Sequence, residues 1–188
     1  MYLSTLLLSL ATLALSTPTI HEAHLAPRGD VSWGVFPTPA STTPRPTPHK
    51  LGHAIVENHC TFPVYIWSVS STVQPVRTIR PGDTYTERFH EDVDTGGIAI
   101  KISTESDGLY TSAPQMIFAY NLDNGRVGHQ RENKVWYDLN DVFGDPFEGY
   151  PVSLTPSEPL ISWENGVPPA GSQIRVADSS TDLVLSLC

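Results

Sequence analysis

From residue 51 onward, apolar and polar positions alternate with a period of two wherever they show a period at all. In Ile98–Ile102 the isoleucines at 98, 100 and 102 face one way while Ala99 and Lys101 face the other, the pattern of a half-buried strand. Met116, Phe118, Tyr120 and Leu122 repeat it. Val64-Tyr65-Ile66-Trp67, Val135-Trp136-Tyr137 and Leu183-Val184-Leu185 are rich in β-branched and aromatic residues, which suit strands buried on one or both faces. Turn residues punctuate these runs at Pro81-Gly82-Asp83, Gly96-Gly97, Asp107-Gly108, Asn124-Gly125, Gly144-Asp145-Pro146 and Pro168-Pro169-Ala170-Gly171. No stretch carries a helix-length 3.6-residue period between caps. Many short strands with turns at this spacing predict an all-β domain, an antiparallel sandwich or barrel.

The first 50 residues differ in kind. Met1–Ser16 is an apolar run the length of a signal-peptide core, with small residues at Ala14-Leu15-Ser16 for cleavage. It is too short to span a bilayer, and the chain is expected to be secreted. Residues 17–50 interleave Pro18, Pro27, Pro37, Pro39, Pro44, Pro46 and Pro48 with Ser and Thr, the composition of an extended linker, and residues 37–48 read as a stalk open to O-glycosylation. Arg28-Gly29-Asp30 lies within it, as do His21 and His24 around Glu22. A three-residue adhesion motif and two tail histidines carry no site by themselves, and all are taken as solvated. Residues 51–188 are the folded domain.

Charge narrows the partners of that domain. The chain holds 20 Asp and Glu against 11 Lys and Arg, a net charge of −9, and only Glu22, Asp30, Arg28, Arg45 and Lys50 of these precede residue 51. Nucleic acid and anionic membranes would repel such a domain. Two cysteines, Cys60 and Cys188, sit near its two ends. In an oxidising compartment they are expected to bridge, since a zinc site would need further ligands at short spacing. Closing a loop of about 130 residues stabilises by roughly 4–5 kcal/mol through the entropy of the unfolded chain.

The strings HAIVENHCTFPVYIWSV, TIRPGDTYTERF, GGIAIKIS, QMIFAYNL and VWYDLNDVFGDPFEG follow in this order. They resemble the Blastomyces yeast-phase-specific family of small secreted fungal proteins, which is similar in turn to the thaumatin-like proteins. The resemblance covers Gly52–Cys188 and implies a thaumatin-like antiparallel β-sandwich in a single domain. It also implies the Cys60–Cys188 pairing, because the thaumatin-like scheme joins the cysteine after the first strand to the one at the C-terminus. Two departures stand out. Relatives carry further cysteines near Ser162-Trp163 and Ala177, and residues 128–134 form a polar insertion, either a lengthened hairpin tip or an artefact of the gene reading.

Candidate chemistry is acidic. Asp138, Asp141 and Asp145 crowd one short stretch, and two carboxylates of unequal acidity can cleave a glycosidic bond. The resemblance implies a cleft that binds β-glucan, with its first Asp at Asp138 and its second near Asp145, whereas the cleft Glu falls on Ala119. Glu148 or Glu87 would have to replace it. Asp138, Asp141, Asp145 and Glu148, with Trp136 and Tyr137, are the expected binding residues, and Asp138 and Asp145 the candidate catalytic pair. The competing reading is that Asp141 and Asp145 cap turns.

No nucleophile elbow, zincin helix, phosphate-binding loop or dinucleotide fingerprint is present. Glu87, Glu91, Asp92 and Asp94 could hold calcium only weakly without the spacing of an EF-hand, and His53, His59 and His90 are unpatterned. Trp67, Trp136 and Trp163, with Tyr65 and Tyr137, fill the core or stack on sugar. The expectation is a monomeric, secreted, wall-associated protein without cofactor or metal, and without membrane or nucleic-acid partner. It binds cell-wall β-glucan, another wall polysaccharide or a host protein, and a weak endo-β-1,3-glucanase is the alternative.

Overall fold

A computed structural model describes residues 50–123 and 133–188. The leader at 1–16, the Pro-rich segment at 17–49 with its stalk, Arg-Gly-Asp and histidines, and most of the 128–134 insertion lie outside the described residues. The described elements are β1 (His53–Asn58), β2 (Val64–Val69), β3 (Arg77–Ile79), β4 (Thr84–Arg88), β5 (Ile98–Ser103), α1 (Gly108–Thr111), β6 (Gln115–Asp123), β7 (Lys134–Val142), β8 (Val152–Thr155), β9 (Ile161–Trp163), β10 (Arg175–Asp178) and β11 (Leu183–Leu187).

They form two sheets. One has five strands in the order β4-β1-β11-β8-β9, the other six in the order β10-β7-β6-β5-β2-β3. Every pairing is antiparallel except β1 with β11. The alternation seen in the sequence places the core. Ile98, Ile100 and Ile102 of β5, Met116, Phe118, Tyr120 and Leu122 of β6, and Val135, Tyr137 and Leu139 of β7 are all buried. They meet Ala54 and Val56 of β1 and Leu183, Leu185 and Leu187 of β11 in one cluster between the sheets. The predicted sandwich is the observed architecture, and α1 is a single turn, too short to leave a period in the sequence.

The parallel β1–β11 pair explains the cysteine positions. Asn58 ends β1 opposite Leu187 of β11, so Cys60 and Cys188 emerge side by side and are joined by a disulfide with their Cα atoms 4.9 Å apart. Asn58 organises this corner. Its buried amide donates to the carbonyls of Phe62 and Ile79, each at 2.9 Å, and its Oδ1 accepts from the Cys60 amide at 3.0 Å. The predicted turn at Pro81-Gly82-Asp83, with Gly82 at φ +83°, hands the chain from β3 in one sheet to β4 in the other. Trp163 is buried in the core, and Ala177 packs against its margin.

Candidate functional site

The outer face of the six-stranded sheet holds the residues best placed to meet a ligand. Directly paired residues share a face, so the register aligns Val69, Ala99, Ala119 and Asp138 in one row across β2, β5, β6 and β7. A second row runs Asn121, Trp136 and Val176 across β6, β7 and β10. All of these but Val176, together with Ile174, line an open trough of about 470 Å³. The small side chains of Val69, Ala99 and Ala119 form its floor. Trp136 is 48% exposed and Val176 equally so, which leaves an indole free at one side of the trough. Asp138 is half-buried and accepts a 2.9 Å hydrogen bond from the Asn140 amide, which orients its carboxylate.

The strand pleat separates the three aspartates that the sequence groups together. Asp138 points outward, whereas Asp141, three residues on, has the inward parity of Val135, Tyr137 and Leu139. Both Asp141 carboxyl oxygens are buried without a hydrogen-bond partner. Burial, with the charge of Asp145 beside it, pushes the Asp141 carboxyl up to about 8. The group is therefore a neutral acid near pH 7 and does not cap a turn. Asp145 lies in the β7–β8 loop, where its carbonyl accepts from the Glu148 amide at 3.2 Å. Glu148 is exposed in the same loop. Tyr137 parts from its neighbour Trp136: it is buried, and its hydroxyl donates to the Pro156 carbonyl at 2.8 Å.

Ala119 stands directly across from Asp138. The position that would need a second carboxylate is a methyl group, and Glu87 cannot supply one because it faces between the sheets from β4, opposite the buried Ala54. The other aromatics divide as well, with Trp67 and Trp163 buried and Trp136 exposed. In the second acidic stretch Asp92 is a turn anchor: it accepts from the Ser71 hydroxyl at 2.5 Å and from the amides of Ser71, Asp94 and Thr95. Led by the Ser71 bond, these hold its carboxyl well below the usual range. Among the described residues no three His, Cys, Asp or Glu side chains gather as metal ligands. Strand patterning had not singled out Val69 and Asn121, which join the trough only through cross-strand register, or Ile174, which enters it from the loop before β10.

Residues 41–188 match the family described as Blastomyces yeast-phase-specific protein. The chain belongs to that family. It is 33% identical over 122 residues to an antigenic thaumatin-like protein of Arthroderma benhamiae, covering 63% of this chain and 56% of that one. It is also 33% identical over 140 residues to the secreted thaumatin-like protein calA of Emericella nidulans, covering 74% of this chain and 65% of that one. The match thus spans just over half to about two thirds of these relatives. Among solved structures, the protein elicitor MoHrip2 of Magnaporthe oryzae superposes with a TM-score of 0.55 at 22% identity, over 73% of this chain and 98% of that one. The fold is thaumatin-like, and this member of the family is a secreted fungal thaumatin-like protein.

Proposed function

We propose that the protein is a non-catalytic carbohydrate-binding module that holds cell-wall β-glucan on the outer face of its six-stranded sheet. One observation carries the reading: an exposed Trp136 borders an open trough whose single oriented carboxylate, Asp138, faces Ala119 instead of a second acid. An indole presents an apolar face on which a sugar ring can stack, while Asp138 and Asn121 offer hydrogen-bonding groups to its hydroxyls. Glycoside hydrolysis needs two carboxyl groups flanking the bond at about 5–9.5 Å. Asp141 lies on the other face of β7 and Asp145 lies beside it, so this pair does not flank anything bound over Asp138.

The test is a pulldown of the purified domain on insoluble β-1,3-glucan and chitin, with reducing-sugar release measured in the same tubes. The expected result is retention without release, weakened about tenfold by Trp136→Ala, since burying apolar area of a sugar ring against an indole contributes on the order of 1–2 kcal/mol. Release abolished by Asp138→Asn would establish the glucanase instead. Absence of both would point to an extracellular protein partner for the Trp136, Ile174 and Val176 surface.

A further inference from the structure

A second cavity opens at the β3–β4 margin of the sandwich, where the chain crosses from one sheet to the other. It has a volume of about 550 Å³ and is walled by Ser68, Gln74, Arg77, Thr78, Tyr85 and Glu87, with His90 at its mouth. That volume lies within the range of small-ligand sites. Tyr85 and Glu87 point inward, because their partners across β1 are the buried Val56 and Ala54.

Glu87 is the centre of a hydrogen-bonded chain that spans both sheets. The Tyr85 hydroxyl donates to its Oε2 at 2.6 Å, and the Tyr120 hydroxyl, reaching from β6 in the other sheet, donates to its Oε1 at 2.8 Å. With its own proton committed to Glu87, the Tyr120 oxygen accepts from His90 Nδ1 at 3.0 Å, the tautomer that also suits the Arg88 carbonyl at 3.2 Å. Burial, reinforced by Glu87, pushes both phenols well above their ordinary range, so both remain donors at any physiological pH. The carboxylate has four acceptor directions, and the two tyrosines use two.

We propose that this inter-sheet cavity is a binding site for a neutral, polyhydroxylated ligand of mono- to disaccharide size. Beside Pro75 and Ile79 the lining carries Ser, Thr and Tyr hydroxyls, the Gln74 amide, the His90 imidazole, the Arg77 guanidinium and the Glu87 carboxylate, which together offer the donors and acceptors that vicinal hydroxyls require. An anion would meet Glu87 and an ammonium group would meet Arg77, whereas a neutral polyol can donate to Glu87 and accept from Arg77. The site opens between the sheets, whereas the Trp136 trough lies on the outer face, and Ser70 is the one lining residue the two have in common.

The experiment is a titration of the ¹⁵N-labelled protein with glucose and laminaribiose, with methylammonium and inorganic phosphate as charged probes. The expected result is sugar-induced shifts at residues 68, 77–79 and 84–90, retained in Trp136→Ala and weakened about tenfold or more in Glu87→Gln, the effect of losing a charged hydrogen bond. Gln74→Ala alters an exposed wall residue and carries the same test if Glu87→Gln fails to give a dispersed spectrum. Sugar shifts confined to residues 119–121 and 136–138, no shifts at all, an unchanged affinity in both wall variants, or tighter binding of methylammonium or phosphate at the cavity would each overturn the proposal.

Discussion

At the scale of single residues, Asp141 is the position where burial and chemistry disagree most. The residue is half-buried, neither carboxyl oxygen has a hydrogen-bond donor, and burial, with Asp145 beside it, pushes the group from an ordinary 3.8 up to about 8. Between those two values the folded protein binds more protons than the unfolded chain, so stability falls as pH rises through that window. Discounted for the solvent that screens a part-exposed group, the loss is about 2 kcal/mol. Asp141→Asn keeps the shape and removes the titration. Urea unfolding at a series of pH values should therefore show a wild-type midpoint that declines from pH 5 to pH 9 and a flatter one in the variant, with the variant the more stable at the alkaline end. Equal slopes would mean that Asp141 is ionised in the fold. The sequence contained the signal for this: with Val135, Tyr137 and Leu139 on the inner parity, Asp141 had to follow them inward. Proximity along the chain obscured it, because Asp138 and Asp145 suggested a single acidic cluster that a pleated strand does not allow.

At the scale of elements, the alternation in β5 and β6 was legible because each has one face in the core, and a period of two is then imposed by burial. What was not legible is which strands become neighbours. The row from Val69 to Asp138 crosses four strands, and nothing local in any of them announces the other three. The same holds for the loop after β7. Its Gly149 amide donates to the Asn165 carbonyl at 2.9 Å and the Gly166 amide to the Trp163 carbonyl at 3.1 Å, so the Asp145–Tyr150 stretch is fastened to the turn that follows β9. Gly166 has φ +65°, and a Cβ on it would strike the backbone carbonyls of Phe147 and Tyr150. Gly149 has φ +87° but nothing within 4 Å of such a Cβ. The left-handed backbone alone costs an alanine about 1–2 kcal/mol, and a collision with backbone adds about 1–3 kcal/mol more. Chemical denaturation should therefore rank Gly166→Ala well below Gly149→Ala, which itself falls modestly below wild type. Similar losses for both would show that the loop yields freely at Gly166.

At the scale of the whole molecule, stability rests on one corner where the chain closes on itself. β1 and β11 are the first and last strands, they form the sole parallel pair among the described strands, and the disulfide clamps their ends across a separation of 128 residues. Asn58 makes the clamp a folded unit, since its three hydrogen bonds tie the Cys60 turn to Phe62 and to β3. Two losses at this corner act on different states. Removing the disulfide by replacing both cysteines with serine relaxes the unfolded chain, at a cost of about 4–5 kcal/mol on the chain-entropy account, whereas Asn58→Ala leaves buried carbonyls and an amide unpaired in the folded state, at about 2–4 kcal/mol. For a domain of this size these correspond to falls in Tm of roughly 10–20 °C and 6–15 °C. Because Asn58 positions Cys60, the two effects are coupled, and the triple variant should lose less than their sum. Thermal unfolding of the three proteins under oxidising conditions measures that difference. Strict additivity would mean that Asn58 holds the β3 edge independently of the disulfide, and the corner would then be two separate fasteners instead of one.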